Sequence, residues 1–251
     1  MTLLCAALLS LSLGAQDLTI LHINDTHSHI DPQRAGDYKG RGGVIEQAAF
    51  IDSVRTAVGK KNVLLLHAGD YGQGTSYFSE MNGDIEIDVM NSLGFDVVCL
   101  GNHEFDNGTK ELARRLKNLK AKVVCANYDF TDSPLEDVVH PYVIVKKAGL
   151  KIGVIGLLTD IRRVVDKKIA AEFSYIEPAD VVNRYAEYLK NEKGCDLVMC
   201  LSHLGYEEDK EVASLIRNVD VIVGGHTHTL LHKKQEVMDL DGKPVVIVQN
   251  W

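Results

Sequence analysis

Short apolar runs rich in β-branched residues recur along the chain and alternate with segments of helical periodicity. Five runs cover residues 18–23, 63–66, 97–100, 197–201 and 221–223. Nearly continuous apolar runs of this kind are typical of strands that are covered on both faces. The helical patterns cover residues 44–58, 84–93, 109–119, 179–190 and 208–217. This alternation predicts a layered α/β domain.

Two further segments have the pattern of β-hairpins. Residues 142–147 and 151–158 flank Ala148-Gly149, and residues 234–238 and 244–249 flank Asp241-Gly242. Short connections that contain glycine favour hairpin turns. These segments predict a second sheet or additional antiparallel strands. Because no repeat, low-complexity tract or Pro/Ser-rich linker interrupts residues 16–251, we expect a single domain there.

Each of the five apolar runs is followed within a few residues by a polar side chain that can bind a metal. These side chains are Asp25, Asp70, Asn102, His203 and His226. In α/β sheets, ligand sites gather at the carboxyl ends of the strands. We therefore expect the five side chains to lie around one site.

Asp25-Thr26-His27 and His226-Thr227-His228 extend this set, because side chains two residues apart share one side of an extended chain. The candidate metal ligands are Asp25, His27, Asp70, Asn102, His203, His226 and His228. These two carboxylates, one amide and four imidazoles are more ligands than one tetrahedral zinc can bind. They suit two metals about 3.5–4 Å apart that share a carboxylate, so we predict a binuclear centre.

In order along the chain, these residues resemble the motifs of the calcineurin-like metallophosphoesterase superfamily. The matching motifs are Asp25-x-His27, Gly69-Asp70, Gly101-Asn102-His103-Glu104, His203 and Gly225-His226-Thr227-His228. Residues 24–27, 72–75 and 101–106 are most similar to the secreted 5′-nucleotidase family. The resemblance implies an α/β sandwich of two sheets flanked by helices, with a dinuclear site at the carboxyl ends of the strands.

The resemblance also implies a role for each matching residue. One metal would be held by Asp25, His27, Asp70 and His228. The other would be held by Asp70, Asn102, His203 and His226, with Asp70 bridging. His103 would be the catalytic histidine and Asp106 its partner.

The segment 101–106 has a chemical interpretation that does not need the family. His103 is placed to give a proton to a leaving alkoxide, and Asp106 could orient its ring. Asp106 could instead cap the helix that begins near Thr109. For Glu104 we expect a structural hydrogen-bonding role.

The formal net charge of −8 argues against binding of a nucleic acid polymer, since no basic stripe is present. Two divalent cations, about +4 in total, would outweigh the two ligand carboxylates and attract a phosphate. A water bound by the metals would have a lowered pKa, and the resulting hydroxide could attack the phosphorus atom of a phosphate ester. Mixed nitrogen and oxygen ligands suit zinc, manganese or iron.

Other residues that could bind or react are expected to be structural. We expect His22 and His67 to be core residues or to support the ligands, and His29, His140 and His232 to lie in loops or on the surface. The glycines of residues 69–74 do not form a phosphate-binding loop, because no Gly-Lys-Ser/Thr follows.

Four cysteines of the predicted domain are expected to act as small buried hydrophobic residues. They are Cys99, Cys125, Cys195 and Cys200. In an oxidising compartment one pair could form a disulfide, although their spacing shows no compact disulfide framework.

Residues 1–15 are interpreted as a secretory signal, because 2–15 are apolar with small residues and Ala15-Gln16 is a plausible cleavage point. No basic residue precedes the apolar stretch, which favours a true start further upstream. The stretch is too short to span a bilayer, so we predict a periplasmic or secreted protein without a transmembrane segment.

Members of the 5′-nucleotidase family usually carry a C-terminal domain that binds the nucleobase, and the chain ends at Trp251 before such a domain. The expected function is metal-dependent hydrolysis of nucleotide phosphate esters. One alternative is a catalytically incomplete metal-binding subunit that assembles with a separate nucleotide-binding chain. Others are a cyclic phosphodiesterase, a UDP-sugar hydrolase or a thiosulfate-ester hydrolase.

Overall fold

A computed structural model of the protein describes residues 17–250. The strands are β1 Thr19–Ile23, β2 Val63–His67, β3 Val97–Cys99, β4 Lys122–Val124, β5 Tyr128–Asp129, β6 Val139–His140, β7 Tyr142–Lys147, β8 Leu150–Leu158, β9 Ser174–Tyr175, β10 Leu197–His203, β11 Val221–Gly224, β12 Gln235–Met238 and β13 Pro244–Gln249. The helices are α1 Gly43–Val58, α2 Ser76–Met81, α3 Asp84–Leu93, α4 Thr109–Leu116, α5 Lys167–Ala170, α6 Pro178–Glu187 and α7 Tyr206–Ser214.

Two sheets form the centre of the fold. The first has the order β1-β2-β3-β4-β6, and all its strands are parallel. The second has the order β12-β13-β11-β10-β8-β7, with parallel pairing from β13 to β8 and antiparallel strands at both edges. The edge pairs β7–β8 and β12–β13 are the two predicted hairpins. Their strands belong to one second sheet.

The side chains of each central strand alternate between two cores, because successive residues point to opposite faces of a sheet. Leu64 and Leu66 of β2 and Met199 and Leu201 of β10 lie in the core between the sheets. Leu65 instead packs with α1, α3 and α4 on the outer face of the first sheet. Helices α6 and α7 pack on the outer face of the second. The predicted two-sheet α/β sandwich flanked by helices is therefore confirmed.

The two sheets approach closely where β8 passes β4. A side chain at Gly156 of β8 would collide with the backbone of Val124 and come within 2.6 Å of the Cys125 nitrogen. Glycine is required here by space rather than by its backbone angles. This contact lies near the carboxyl ends of β4 and β8.

Several predicted helix boundaries are wrong, and several short elements were not predicted. Helix α4 ends at Leu116, α6 passes at Glu187 into one π-helical turn over Tyr188–Glu192, and α7 begins at Tyr206 rather than 208. The earlier start of α7 follows Gly205 and places three acidic residues in the first turn, where the helix dipole favours them. The sequence pattern also missed β4, β5, β6, β9, α2 and α5, which are too short for a periodic signal.

All four cysteines of residues 17–250 are buried with free thiols, which agrees with their predicted role as small hydrophobic residues. Among residues 17–250, no helix is both long enough and apolar enough to cross a membrane. The predicted signal segment 1–15 lies outside the described residues.

Candidate metal centre

The predicted ligands lie at the carboxyl ends of five parallel strands or in the loops that follow them. Asp25 follows β1, Asp70 follows β2 and Asn102 follows β3 in the first sheet, while His203 ends β10 and His226 follows β11 in the second. Because the two sheets pack face to face, these loops meet along one edge of the sandwich. Six of the seven predicted ligands belong to groups of donor atoms that lie within 4.8 Å of one another.

The first group consists of Asp25, His27 and His228. The Nε2 atoms of His27 and His228 are 3.1 Å apart, and Asp25 Oδ1 lies 3.6 Å from His228 Nε2 and 4.0 Å from His27 Nε2. Nitrogen ligands of one tetrahedral zinc would be about 3.3 Å apart, given metal–nitrogen distances of about 2.0–2.1 Å. The spacing of the group therefore suits a single metal ion.

The second group consists of Asp70, His203 and His226, and Asp70 links it to the first. Asp70 Oδ2 lies 3.0 Å from His203 Nε2 and 4.0 Å from His27 Nε2. The carboxylate thus lies between the two groups, as a bridging ligand would. A third group joins His27 and Asp70 with His103.

Asn102 was predicted as the amide ligand of the second metal. Its side chain is buried, and its Oδ1 atom has no hydrogen-bond partner among residues 17–250. A buried unpaired carbonyl oxygen is unusual, since such groups are normally hydrogen-bonded. It is available to a metal.

The arrangement of His203 and Asp70 favours a cation between them. His203 Nδ1 lies 2.6 Å from the Ala68 carbonyl, to which it donates, so the Nε2 of a neutral ring presents a lone pair to Asp70 Oδ2. Burial alone would lower the pKa of His203, but Asp70 and then Asp25 raise it to about 9. His203 in turn holds the pKa of Asp70 well below its usual range against the effect of burial. The field that stabilises a proton here also favours a divalent cation.

The backbone of the ligand loops is strained. The predicted ligands with positive φ angles are Asp25 (50°), His27 (42°), Asp70 (54°), His226 (77°) and His228 (51°). Non-glycine residues in this region cost about 1–3 kcal/mol each and persist only where the surroundings fix them. Such strain is typical of functional sites.

Hydrogen bonds between the loops offset this strain. The Asp25 and His27 amides donate to the carbonyl oxygens of Gly69 and Asp70, both at 3.0 Å. Asn24 Nδ2 donates to Asp25 Oδ2 at 2.6 Å. The supporting role of Asn24 was missed from the sequence, where its only signal was its position directly before Asp25.

His103 and Asp106 form a pair beside the ligand groups. His103 Nδ1 lies 2.8 Å from Asp106 Oδ2, and this hydrogen bond raises the pKa of His103 above its ordinary value. The ring centroid of His103 is 5.3 Å from that of His27. Helix α4 has Gly108 at its N-cap with no side-chain cap bond, so Asp106 does not serve as the helix cap.

Glu104 organises the backbone around Asp70, in line with its expected hydrogen-bonding role. Its Oε2 atom accepts from the amides of Asp70 at 2.9 Å and Gly101 at 2.6 Å, and its Oε1 accepts from the Gly72 amide at 3.0 Å. A side chain at Gly101 would overlap Asp70. Burial, together with the nearby Asp70, raises the pKa of Glu104 to about 7.

We expect Glu104→Gln to lower the free energy of unfolding by about 1–3 kcal/mol, because its amide group would oppose a backbone N–H that now has an acceptor. Urea denaturation of the metal-stripped protein measures this change. Glu80→Gln is the matched control, since the Glu80 side chain is exposed. Equal stability of the two variants would show that the three hydrogen bonds do not hold the loop.

The remaining histidines lie as expected outside the ligand groups. His67 is buried in the core, and burial lowers the pKa of its ring to about 3. His22 is half-buried, and burial lowers its pKa to about 4. His29, His140 and His232 are exposed.

Comparisons with known proteins identify the family to which the chain belongs. The family model described as calcineurin-like phosphoesterase matches residues 18–230. A probable 5′-nucleotidase of Treponema pallidum is 36% identical over 259 residues, which cover 95% of this chain and 43% of that protein. The NAD 5′-nucleotidase of Haemophilus influenzae is 32% identical over 258 residues, covering 94% of this chain and 42% of that protein.

Solved structures show the same likeness. The crystal structure of a 5′-nucleotidase precursor from Thermus thermophilus matches with a TM-score of 0.85 and 37% identity, over 93% of this chain and 48% of that one. The chain thus spans less than half the length of these relatives. It belongs to the calcineurin-like phosphoesterase family and is of the type found as the N-terminal domain of 5′-nucleotidases.

Proposed function

We propose that this chain is a metal-dependent phosphoesterase that hydrolyses phosphate monoesters of nucleotides, as a 5′-nucleotidase does. The observation that carries the proposal is the position of Asp70, which belongs to one ligand group and lies 4.0 Å from His27 of the other, with the His103–Asp106 pair beside them. The names of the relatives support the same reaction class.

In this proposal, Asp25, His27, Asp70 and His228 hold one divalent cation, and Asp70, Asn102, His203 and His226 hold the other. The donor set fits zinc, manganese or iron, since it mixes imidazole nitrogens with carboxylate and amide oxygens. Bound cations supply positive charge for the phosphate dianion and make a water nucleophile available at neutral pH.

The chain's own residues would manage the leaving group. The Nδ1–H of protonated His103 donates a hydrogen bond to Asp106, and its Nε2–H points to the ester oxygen. As the bond between phosphorus and that oxygen breaks, the oxygen takes the proton and leaves as an alcohol. The hydrogen bond with Asp106 raises the pKa of His103 above its ordinary value, which favours the protonated form that donates.

Recognition of the nucleotide would need more than the metal centre. The relatives are more than twice as long as the matched region. The resemblance to the 5′-nucleotidase family implies a C-terminal domain that binds the nucleobase. We propose that such a domain, on the same polypeptide or as a separate chain, supplies substrate selectivity. A catalytically incomplete subunit is the second candidate function, because the proposed selectivity for nucleotides would come from outside the matched region.

The substrate panel tests the proposal. Protein stripped of metal with a chelator should be inactive, and Mn²⁺ or Zn²⁺ should restore hydrolysis of AMP and p-nitrophenyl phosphate because the ligand groups need cations. Phosphate release from these two substrates, UDP-glucose and 2′,3′-cyclic AMP is measured in parallel. If the metal-loaded protein hydrolyses none of them, the proposal is wrong. Activity that appears only on mixing with a nucleotide-binding chain would favour the incomplete subunit.

We also propose a secreted or periplasmic location, supported by the apolar, small-residue composition of residues 2–15. We expect the protein purified from its native source to begin at Gln16, directly after the predicted cleavage point. Mass spectrometry of the intact protein measures this. A cytoplasmic protein that retains residues 1–15 would contradict the proposal.

A further inference from the structure

A small cavity lined by both apolar and polar side chains lies beside the loop that carries Asp25 and His27. Its volume is about 30 Å³, and its lining includes His67 at the end of β2, Tyr71 in the following loop and Glu86 of α3. A cavity needs roughly 10–15 Å³ to accept a water molecule, provided that polar partners are present. The cavity is therefore large enough for water.

Three side-chain atoms of these lining residues have no hydrogen-bond partner among residues 17–250. They are His67 Nδ1, Tyr71 OH and Glu86 Oε2. The three residues are 1%, 3% and 3% exposed, so bulk water does not reach them. Buried polar groups without partners are costly, and three around one cavity match the usual number of hydrogen bonds of an internal water.

The same three residues contact the ligand loop. His67 Nε2 lies 3.1 Å from Thr26 Oγ1, and Thr26 is the residue between Asp25 and His27. Glu86 Oε1 accepts a hydrogen bond from the Ser28 hydroxyl. The Ser28 amide donates to the Tyr71 carbonyl at 3.0 Å. The cavity thus lies where the loop after β1 is joined to the loop that carries Asp70.

The His67 ring is held in place by its neighbours. Its centroid lies 5.7 Å from that of Tyr71 and 5.4 Å from that of Phe95, both in edge-to-face contact. With the Thr26 hydroxyl donating to Nε2, Nδ1 of a neutral ring carries the proton, and it has no acceptor among residues 17–250. A water there could accept from His67 and Tyr71 and donate to the Glu86 carboxylate, so every group would be satisfied.

We propose that an internal water bound by His67, Tyr71 and Glu86 joins the two ligand loops, and that His67 is a positioning residue for the metal held by Asp25, His27, Asp70 and His228. This rests on the proposed metal site, although metal binding can be measured without any catalysis. The water fixes His67, His67 fixes Thr26, and Thr26 holds the strained backbone between the two ligands. Groups that orient metal ligands in this way typically change metal affinity by about 10- to 100-fold when altered.

Two substitutions at His67 separate its two ring nitrogens. The amide of His67→Gln reaches the position of Nε2 and can keep the contact with Thr26, whereas the amide of His67→Asn reaches only the position of Nδ1. We expect Mn²⁺ titration of the metal-stripped protein by calorimetry to show one site weakened about tenfold in His67→Asn. In His67→Gln that site should return to within about threefold of wild type.

Tyr71→Phe tests the water itself, because it removes only the hydroxyl and conserves the ring. It should weaken the same Mn²⁺ site severalfold and leave the other unchanged, while Tyr188→Phe at a remote, exposed tyrosine has no effect. A crystal structure of the metal-loaded protein should contain an ordered water in the cavity. A cavity without ordered water, or wild-type Mn²⁺ affinities in Tyr71→Phe, would overturn the proposal. These two outcomes decide the matter even if His67→Asn fails to fold. If the wild-type protein binds Mn²⁺ but hydrolyses no substrate, the proposed function fails and this inference stands.

Discussion

Replacing Asp70 by asparagine is expected to lower phosphomonoester turnover by more than about 10³-fold, or about 4 kcal/mol of transition-state stabilisation. Asp70 is the carboxylate nearer to His203 and also approaches the other ligand group, with Oδ2 3.0 Å from His203 Nε2 and 4.0 Å from His27 Nε2, whereas Asp25 Oδ1 lies 3.9 Å from His203 Nε2. Asparagine keeps the shape of the side chain but replaces this shared anionic oxygen with a neutral amide. Both cations should bind more weakly.

The turnover number for p-nitrophenyl phosphate at saturating Mn²⁺ measures this effect. Asp88→Asn is the matched control, because Asp88 is an exposed carboxylate on α3 outside the centre. It should retain wild-type turnover. An Asp70→Asn protein that keeps turnover within tenfold of wild type would rule out a bridging role for this residue.

The second large effect is expected for His103→Ala, which should keep both metals and lose about 10²- to 10⁴-fold of its turnover on AMP. The loss should be much smaller on p-nitrophenyl phosphate, since nitrophenolate leaves without a proton. His103 belongs to neither of the two groups proposed to hold the metals, although its ring lies near His27 and Asp70. Turnover numbers for both substrates, together with metal content, measure the difference.

Substitution of Asp106 tests the role of His103 through the pH dependence of activity. Its hydrogen bond raises the pKa of His103, and a proton donor is active only below its pKa, so activity should fall as the pH rises through that value. Asp106→Asn should move this alkaline limb to lower pH, whereas Asp106→Glu should leave it closer to wild type. An equal loss on AMP and p-nitrophenyl phosphate in His103→Ala would instead indicate that His103 positions the phosphate.

Much of the fold follows from local patterns. The apolar run 63–66 became β2 because all its side chains are buried between helices and the facing sheet, and Ala148-Gly149 forms the turn of an edge hairpin. Strand β6 has only two residues, and its pairing with β4 depends on tertiary packing. The π-helical turn after Glu187 likewise has no pattern of its own in the sequence.

The identities and order of the candidate ligands could be predicted from the sequence, because each follows an apolar run. The spatial arrangement of these ligands could not be predicted from the sequence. The 3.1 Å approach of His27 to His228 joins residues 201 positions apart, and the His203 tautomer depends on the Ala68 carbonyl, 135 positions away. The left-handed backbone of Asp25 and Asp70 also has no sequence signal, since neither residue is glycine.

Metal stoichiometry tests the central claim most directly. Protein loaded with Mn²⁺, dialysed and analysed by mass spectrometry for metal should contain two ions per chain, and the Asp70→Asn variant should contain fewer than one. One ion or none in the wild type, or two ions retained in Asp70→Asn, would contradict a binuclear centre bridged by Asp70.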